Sequence, residues 1–293
     1  METKGIILAG GRGTRLWPLT QVTSKQLLPV FDKPMIYYPL ATLMTSKIRK
    51  ILIITTPEDE NQFRELFGDG SRFGIELDYE SQPVPNGIAE ALVIGESFLE
   101  GSNCALILGD NLFYGSNIIK DLPSLSVESG CVIFAHEVKD PSRYGVIEID
   151  SQGNAKNIVE KPKNPKSNLA VSGLYLYDSQ VSTYAKSLSP SARGELEITD
   201  LNCRYLSDKN LKVVILEKES TWLDAGTIDA LHDAASFVKA VQDRQGAQIA
   251  CLEEIAILNG WLTWDQALES TKKFPNSSYS KYLLNLLPQS VRQ

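Results

Sequence analysis

Lys4-Gly5-Ile6-Ile7-Leu8-Ala9-Gly10-Gly11-Arg12-Gly13-Thr14-Arg15-Leu16 reads as a short buried strand running into a glycine-rich turn. Three consecutive apolar residues ahead of the glycines fit a strand covered on both faces. Glycines at such a turn let the backbone approach a ligand and aim several amide N–H groups at one anion. Two common nucleotide fingerprints fail: G-x-G-x-x-G needs glycine where Leu16 stands, and the P-loop needs G-x-x-x-x-G-K-[ST]. The turn therefore reads either as an anion site of another kind or as a plain tight turn.

Outward from this strand the pattern repeats. Ile51-Leu52-Ile53-Ile54 and Ala105-Leu106-Ile107-Leu108 are further buried-strand runs, and residues 35–45, 58–67 and 88–98 between them have helical length and composition. That alternation predicts an α/β fold with a Rossmann-like, mostly parallel sheet and ligands outside the carboxyl ends of its strands. Residues 131–135, 145–149 and 173–177 are expected as short strands. Beyond Gly226, Leu231, Ala234, Ala235, Val238 and Val241 recur at helical spacing and Gly246 is a stop signal; helices are also expected around 252–258, 264–268 and 282–287. The expected division is an α/β core over 1–226 and a helical extension over 227–293, packed on the core or on a neighbouring subunit.

A net charge of −7 over 293 residues argues against gripping a nucleic-acid polymer through bulk charge, though not against binding one nucleotide. No apolar run approaches the roughly 20 residues that span a bilayer, and the chain enters a strand at once, without a signal peptide. Cys104, Cys131, Cys203 and Cys251 lack metal or redox spacing and read as reduced cysteines of a cytoplasmic protein. With only His136 and His232, a histidine-based metal site or triad is poorly supported.

Arg15 and Lys25 place two cations near the amide-lined turn, which suits a triphosphate whose pyrophosphate leaves. Asp110 follows the strand ending at Leu108, and Asp224 sits in Trp222-Leu223-Asp224-Ala225-Gly226. Such hard oxygen donors, with substrate phosphates, are what Mg²⁺ prefers. Each carboxylate alone could equally cap a helix or turn. Glu160-Lys161 could be a surface ion pair, and Arg193 could belong to a helix entry with Glu195 and Glu197.

The ordered motifs Gly10-Gly11-Arg12-Gly13-Thr14-Arg15-Leu16, Lys25-Gln26-Leu27-Leu28-Pro29, Asp32-Lys33-Pro34-Met35-Ile36-Tyr37-Tyr38, Gln82-Pro83, Gly109-Asp110-Asn111, Glu160-Lys161-Pro162, Arg193-Gly194-Glu195-Leu196-Glu197-Ile198-Thr199-Asp200 and Trp222-Leu223-Asp224 resemble those of glucose-1-phosphate thymidylyltransferases, along essentially the whole chain. The resemblance implies transfer of a thymidylyl group from dTTP to α-D-glucose 1-phosphate by direct in-line attack. Pyrophosphate leaves, and the product feeds dTDP-rhamnose or related dTDP-sugar synthesis. It implies nucleotide contacts at Leu8, Gly10, Gly11, Gly13, Thr14, Arg15, Lys25, Gln82, Pro85, Gly87 and Asp110. Sugar-phosphate contacts are implied at Asn111, Tyr144, Gly145, Glu160, Lys161, Val171 and Arg193. Arg15, Lys25, Asp110, Lys161 and Asp224 would be catalytic, Asp110 and Asp224 would hold Mg²⁺, and the assembly would be a homotetramer, a dimer of dimers. In the family, the glutamine corresponding to Gln82 reads the pyrimidine; a side-chain amide offers it both a donor and an acceptor.

Some positions depart from that pattern. Trp17 gives a Leu-Trp-Pro similar to that of mannose-1-phosphate guanylyltransferases, and Ala225 replaces a usual threonine. The family's second nucleotide site, used for end-product inhibition in some members, has a Gly-Arg-Gly-like segment that stands here as Glu217-Lys218-Glu219. An arginine usual in the extension aligns with Leu258. Added carboxylates and a lost cation imply weakened feedback by dTDP-rhamnose.

Overall fold

Ile6 and Ile7, neighbours in the first strand (Thr3–Leu8), are buried in two separate apolar clusters, one on each face of a single sheet. Their partners alternate in the same way: Ile51, Ile53, Ala105 and Ile107 join Ile7, while Leu52, Ile54, Cys104 and Leu106 join Ile6. This is why the central strands read as continuous apolar runs rather than alternating ones. The computed structural model describes residues 2–286 apart from 12, 116, 121 and 126–128. Arg12 of the opening turn and residues 287–293, including the expected helix end at Leu287, lie outside them.

The main sheet has nine strands among the described residues. Thr3–Leu8 is flanked in parallel by Lys50–Thr55 and Asn103–Leu108, and Glu76–Ser81 pairs in parallel beyond Lys50–Thr55. Leu169–Tyr177 runs antiparallel to Asn103–Leu108 and also pairs with Cys131–Glu137, which Leu211–Ile215 extends in parallel. Ala170 meets Val146 of Gly145–Ile149, whose other partner is Ala155–Glu160. Only Leu169–Tyr177 and Ala155–Glu160 therefore run against the rest. The sheet is mixed but mostly parallel, as expected.

Glu76–Ser81 and Leu211–Ile215 are main-sheet strands outside the expected apolar runs. Glu76–Ser81 is an edge strand that buries Leu77 and Tyr79 while exposing Glu76, Asp78 and Glu80, and Leu211–Ile215 is only partly covered. The stretch 88–98, expected as one helix, is two: Glu90–Ile94 and Glu96–Leu99. Gly95 separates them and rests on the first strand, where an added Cβ would lie 2.6 Å from Ile6 Cδ1.

Beyond the core, Thr227 caps the helix Ile228–Gln245 by accepting from Ala230 N–H, and Gly246 ends it in the left-handed region at φ 66°. Leu252–Leu258, Trp264–Lys272 and Ser278–Leu286 follow. Leu231, Ala234, Val238, Leu252 and Ala256 belong to the same apolar cluster as Ile7 and Ile53, so the helices Ile228–Gln245 and Leu252–Leu258 seal one layer of the fold.

Candidate active site

Asp110 lies one residue past the glycine that ends the strand Asn103–Leu108, and Asn111–Tyr114 then pairs antiparallel with Thr221–Asp224. That register sets Asn111 opposite Asp224, and Ala225 N–H donates to the Asp110 carbonyl at 3.0 Å. Two carboxylates 114 positions apart are thereby fixed by backbone pairing alone. Around them sit the cations. Lys25 Nζ bonds Asp110 Oδ2, and Arg143 Nη2 lies 3.6 Å from Asp224 Oδ2. A Cβ built on Gly226 would lie 2.8 Å from Asp224 Oδ1, 2.9 Å from Arg15 Nη2 and 3.5 Å from Asp110 Oδ2. The convergence of three charged side chains on that α-carbon explains glycine at position 226.

The two carboxyls respond in opposite directions. Burial pushes Asp110 up, but the Lys25 charge and hydrogen bonds from Lys25 and Asn111 outweigh it and hold it below the ordinary aspartate value. Asp224 is raised, first by burial and then by the charge of Asp110, with Lys25, Arg15 and Arg143 only partly compensating. Among the described residues no group of three or more His, Cys, Asp or Glu is placed to hold a metal. A cation bound here would take these two oxygen donors and fill its remaining positions from outside the chain, a set that suits Mg²⁺.

Twelve of the residues singled out in the sequence line one cavity of about 310 Å³: Leu8, Gly11, Arg15, Lys25, Asp110, Asn111, Tyr144, Gly145, Glu160, Lys161, Val171 and Asp224. Gly10, Gln82 and Pro85 line an adjoining cavity of about 500 Å³, and Gly11 borders both. Gly13, Thr14, Gly87 and Arg193 line neither. Gly13, at φ 60°, is closed in by Thr20 and Lys25, and Thr14 is exposed at the start of a 3₁₀ turn (Thr14–Leu16). Gly87, at φ 109°, lies against the Leu196 backbone, where no Cβ would fit.

Across the cavity, Glu160 ends its strand opposite Gly145 and accepts from Thr199 Oγ1 at 2.5 Å. Lys161 follows at φ 42°, a strained conformation for a non-glycine residue, and its N–H donates to the Tyr144 carbonyl at 3.0 Å. Arg193 is engaged elsewhere. Its guanidinium holds both oxygens of Glu197 at 2.8 Å, with Glu195 and Glu160 at 3.4 Å. The Asn111 amide is likewise locked. Its Oδ1 accepts from Trp222 Nε1 at 2.5 Å and from Gly173 N–H at 3.3 Å, while Nδ2 donates to Asp110 Oδ1 at 2.9 Å.

Sequence reasoning missed Arg143, Thr199, Gly173 and Gly226. Gly173 leaves room for Asn111, whose amide atoms would stand 2.7–2.9 Å from an added Cβ. Arg143 had one available signal, its position beside Tyr144. The Gln82 amide is also more constrained than its chemistry alone implies. Gln82, buried just past the edge strand, donates Nε2 to the Gly87 carbonyl at 3.1 Å and to Glu90 Oε2 at 2.6 Å.

A further cavity of about 350 Å³ lies between the core and the extension, with Tyr38, Phe113, Gly115, Gln248 and Ile255 among its walls. Glu217 Oε2 accepts from the N–H of Asn117, another wall residue, at 3.4 Å, and Leu258 is 78% exposed. Among the described residues no helix is long and apolar enough to cross a membrane.

The family model described as "Nucleotidyl transferase" matches residues 4–241. The chain is 54% identical to the glucose-1-phosphate thymidylyltransferase of Neisseria gonorrhoeae, over 97% of this chain and 99% of that protein. It is 48% identical to the enzyme of the same description from Mycobacterium tuberculosis, over 98% of this chain and 100% of that one. A Bacillus anthracis crystal structure assigned as a glucose-1-phosphate thymidylyltransferase superposes with a TM-score of 0.75 at 43% identity, covering 80% of this chain and 94% of its own. A UDP-glucose pyrophosphorylase with bound UDP-glucose shares the fold at 24% identity, with a TM-score of 0.73 over 84% of this chain.

Proposed function

Because the chain belongs to the nucleotidyl transferase family, and within it to the glucose-1-phosphate thymidylyltransferases, we propose that it joins dTTP to α-D-glucose 1-phosphate, giving dTDP-glucose and pyrophosphate. The observation that carries this reading is the convergence of Arg15, Lys25, Asp110 and Asp224 in the cavity that Glu160 and Lys161 also line, with the Gln82 cavity adjoining it at Gly11. In the reading, the triphosphate runs from the Gln82 slot past Gly11 to Arg15 and Lys25, and the glucose 1-phosphate oxygen attacks the α-phosphorus directly. That oxygen is already anionic, so no general base is assigned and no covalent enzyme intermediate forms. Lys25 and Arg15 neutralise the departing pyrophosphate, and the strained Lys161 holds the incoming phosphate beside Glu160, which accepts from sugar hydroxyls. Asn111 keeps one N–H free of Asp110 and can donate it to the sugar. Asp110 and Asp224 would hold Mg²⁺, which on binding polarises the α-phosphate.

A pyrophosphate-release assay over nucleoside triphosphates and sugar 1-phosphates with Mg²⁺ tests the reading. Turnover should require dTTP or a close pyrimidine relative together with glucose 1-phosphate. Because a buried methyl is worth about 1 kcal/mol, dUTP should retain kcat/KM within about tenfold of dTTP. Strong preference for GTP or mannose 1-phosphate would refute it.

The same reading takes 1–226 as the catalytic core and 227–293 as an extension serving a cytoplasmic homotetramer. It also includes weak regulation. Glu217 accepts from Asn117 in the wall of the cavity between core and extension, and the exposed Leu258 replaces the arginine that the resemblance implies for a second nucleotide site. dTDP-rhamnose should therefore inhibit poorly. Potent inhibition that is lost on substitutions around Leu258 would overturn this part.

A further inference from the structure

Glu90, the first residue of the helix Glu90–Ile94, carries none of the roles described above, yet both its carboxylate oxygens are committed to the base slot's wall. Oε2 accepts from Gln82 Nε2 at 2.6 Å and Oε1 accepts from Asn86 Nδ2 at 2.9 Å. A carboxylate only accepts, and so does the Gly87 carbonyl, the second partner of Gln82 Nε2 at 3.1 Å. Those two acceptors use both hydrogens of the Gln82 amide and fix which way it faces. Its Oε1 is turned toward Gly10, whose added Cβ would lie 3.0 Å away, at the cavity that Gly10, Gln82 and Pro85 line.

We infer that Glu90 is a specificity-determining residue, which orients Gln82 so that it meets the nucleotide base as an acceptor only. The inference rests on the reading of Gln82 as the base-contacting residue. An acceptor-only reader selects a ring N–H. Thymine and uracil carry one at N3, whereas cytosine presents a lone pair there and carries its donor one position further out, on the exocyclic nitrogen. The same oxygen could meet that donor only with the ring displaced in the slot. An unconstrained glutamine could rotate its amide and serve either base; Glu90 removes that freedom. The clamp is positional, because Glu90 belongs to the helix that begins three residues past Gly87 and packs Ala91 and Leu92 into the core.

The test is the ratio of kcat/KM for dTTP to that for dCTP, measured with glucose 1-phosphate. The parent protein should favour dTTP by about 10³ or more, as expected where a buried polar group would otherwise be mispaired. Glu90→Gln offers Gln82 either a donor or an acceptor, so its amide can turn. The ratio should fall by about tenfold or more, through a gain with dCTP rather than a loss with dTTP alone. Asn86→Ala frees the other oxygen of Glu90 and loosens the loop, but leaves the acceptor facing Gln82; its ratio should stay near that of the parent. Equal losses with both nucleotides in Glu90→Gln would show a merely structural role and overturn the inference. So would a shift in Asn86→Ala as large as that in Glu90→Gln. A parent that does not use dTTP would refute the substrate assignment and this inference together, whereas dTTP turnover with an unmoved ratio in Glu90→Gln would refute this inference alone.

Discussion

Lys25→Ala is expected to lower kcat by at least about 10², because one well-placed cation facing charge that develops in the transition state is worth on the order of 2–4 kcal/mol. Lys25 is positioned by the 3₁₀ turn Lys25–Leu27, and its ammonium meets Asp110 with both side chains nearly buried. The substitution also leaves a buried carboxylate without its partner, and breaking a buried pair commonly costs about 3–5 kcal/mol. Stability should therefore fall with activity, in a pH-dependent way. Asp110 has a depressed pKa in the parent, so its pairing stabilises the fold above the ordinary aspartate range and that contribution is lost as pH falls through the folded value. Without Lys25 the burial of Asp110 acts with only the Asn111 and backbone hydrogen bonds against it, and the carboxyl moves up. Melting curves from pH 4 to 8 should show the gap between parent and variant widest near neutrality and narrowing in acid. Near-normal turnover, or a gap independent of pH, would refute the role of Lys25.

The sheet and both walls of the site were legible in the sequence where the physics is local. Ile6-Ile7-Leu8 and Ala105–Leu108 announce buried parallel strands, and active-site residues gather where such strands end. Glu76–Ser81 was not legible in that way because an edge strand carries only Leu77 and Tyr79 inward between charged residues. The helical break at Gly95 depends on contact with Ile6, nearly ninety positions away, which no local pattern reports. The same division runs through the site. Asp110 could be singled out from its strand, but Gly226 acquires meaning only when Arg15, Asp110 and Asp224 converge on its α-carbon. Arg193 shows the converse. Its motif suggests a phosphate contact, yet three carboxylates surround it, and Arg143 lines the cavity alongside Arg15. Motif position alone could not say which arginine would line the cavity, since that depends on Glu160 and Glu197 reaching Arg193 from different elements.

Asp224→Asn should separate function from stability, in the opposite sense to Lys25→Ala. Its kcat should fall by at least about 10² if Asp224 serves the transition state through a bound cation. The fold should gain. The folded pKa of Asp224 is raised, by burial and by Asp110, so the ionised form is disfavoured in the native state. Such a group costs stability progressively as pH rises from the ordinary aspartate value through the folded one, and the cost is fully present above it. Asparagine keeps the shape and removes the charge, so without added Mg²⁺ the variant should melt higher than the parent at neutral pH. The expected gain is about 2 °C per kcal/mol relieved, and it should vanish in acid, where Asp224 is protonated in both states. The distant contact with Arg143 at 3.6 Å is too exposed on the arginine side to reverse that sign. Adding Mg²⁺ with dTTP should raise the parent's melting temperature more than the variant's, since a ligand stabilises only the state that binds it. Equal stabilisation of both proteins would remove Asp224 from the cation site. A variant that melts lower than the parent near neutrality would instead show Asp224 to be a structural partner of its neighbouring cations, and the paired carboxylates would no longer read as a destabilised site awaiting positive charge.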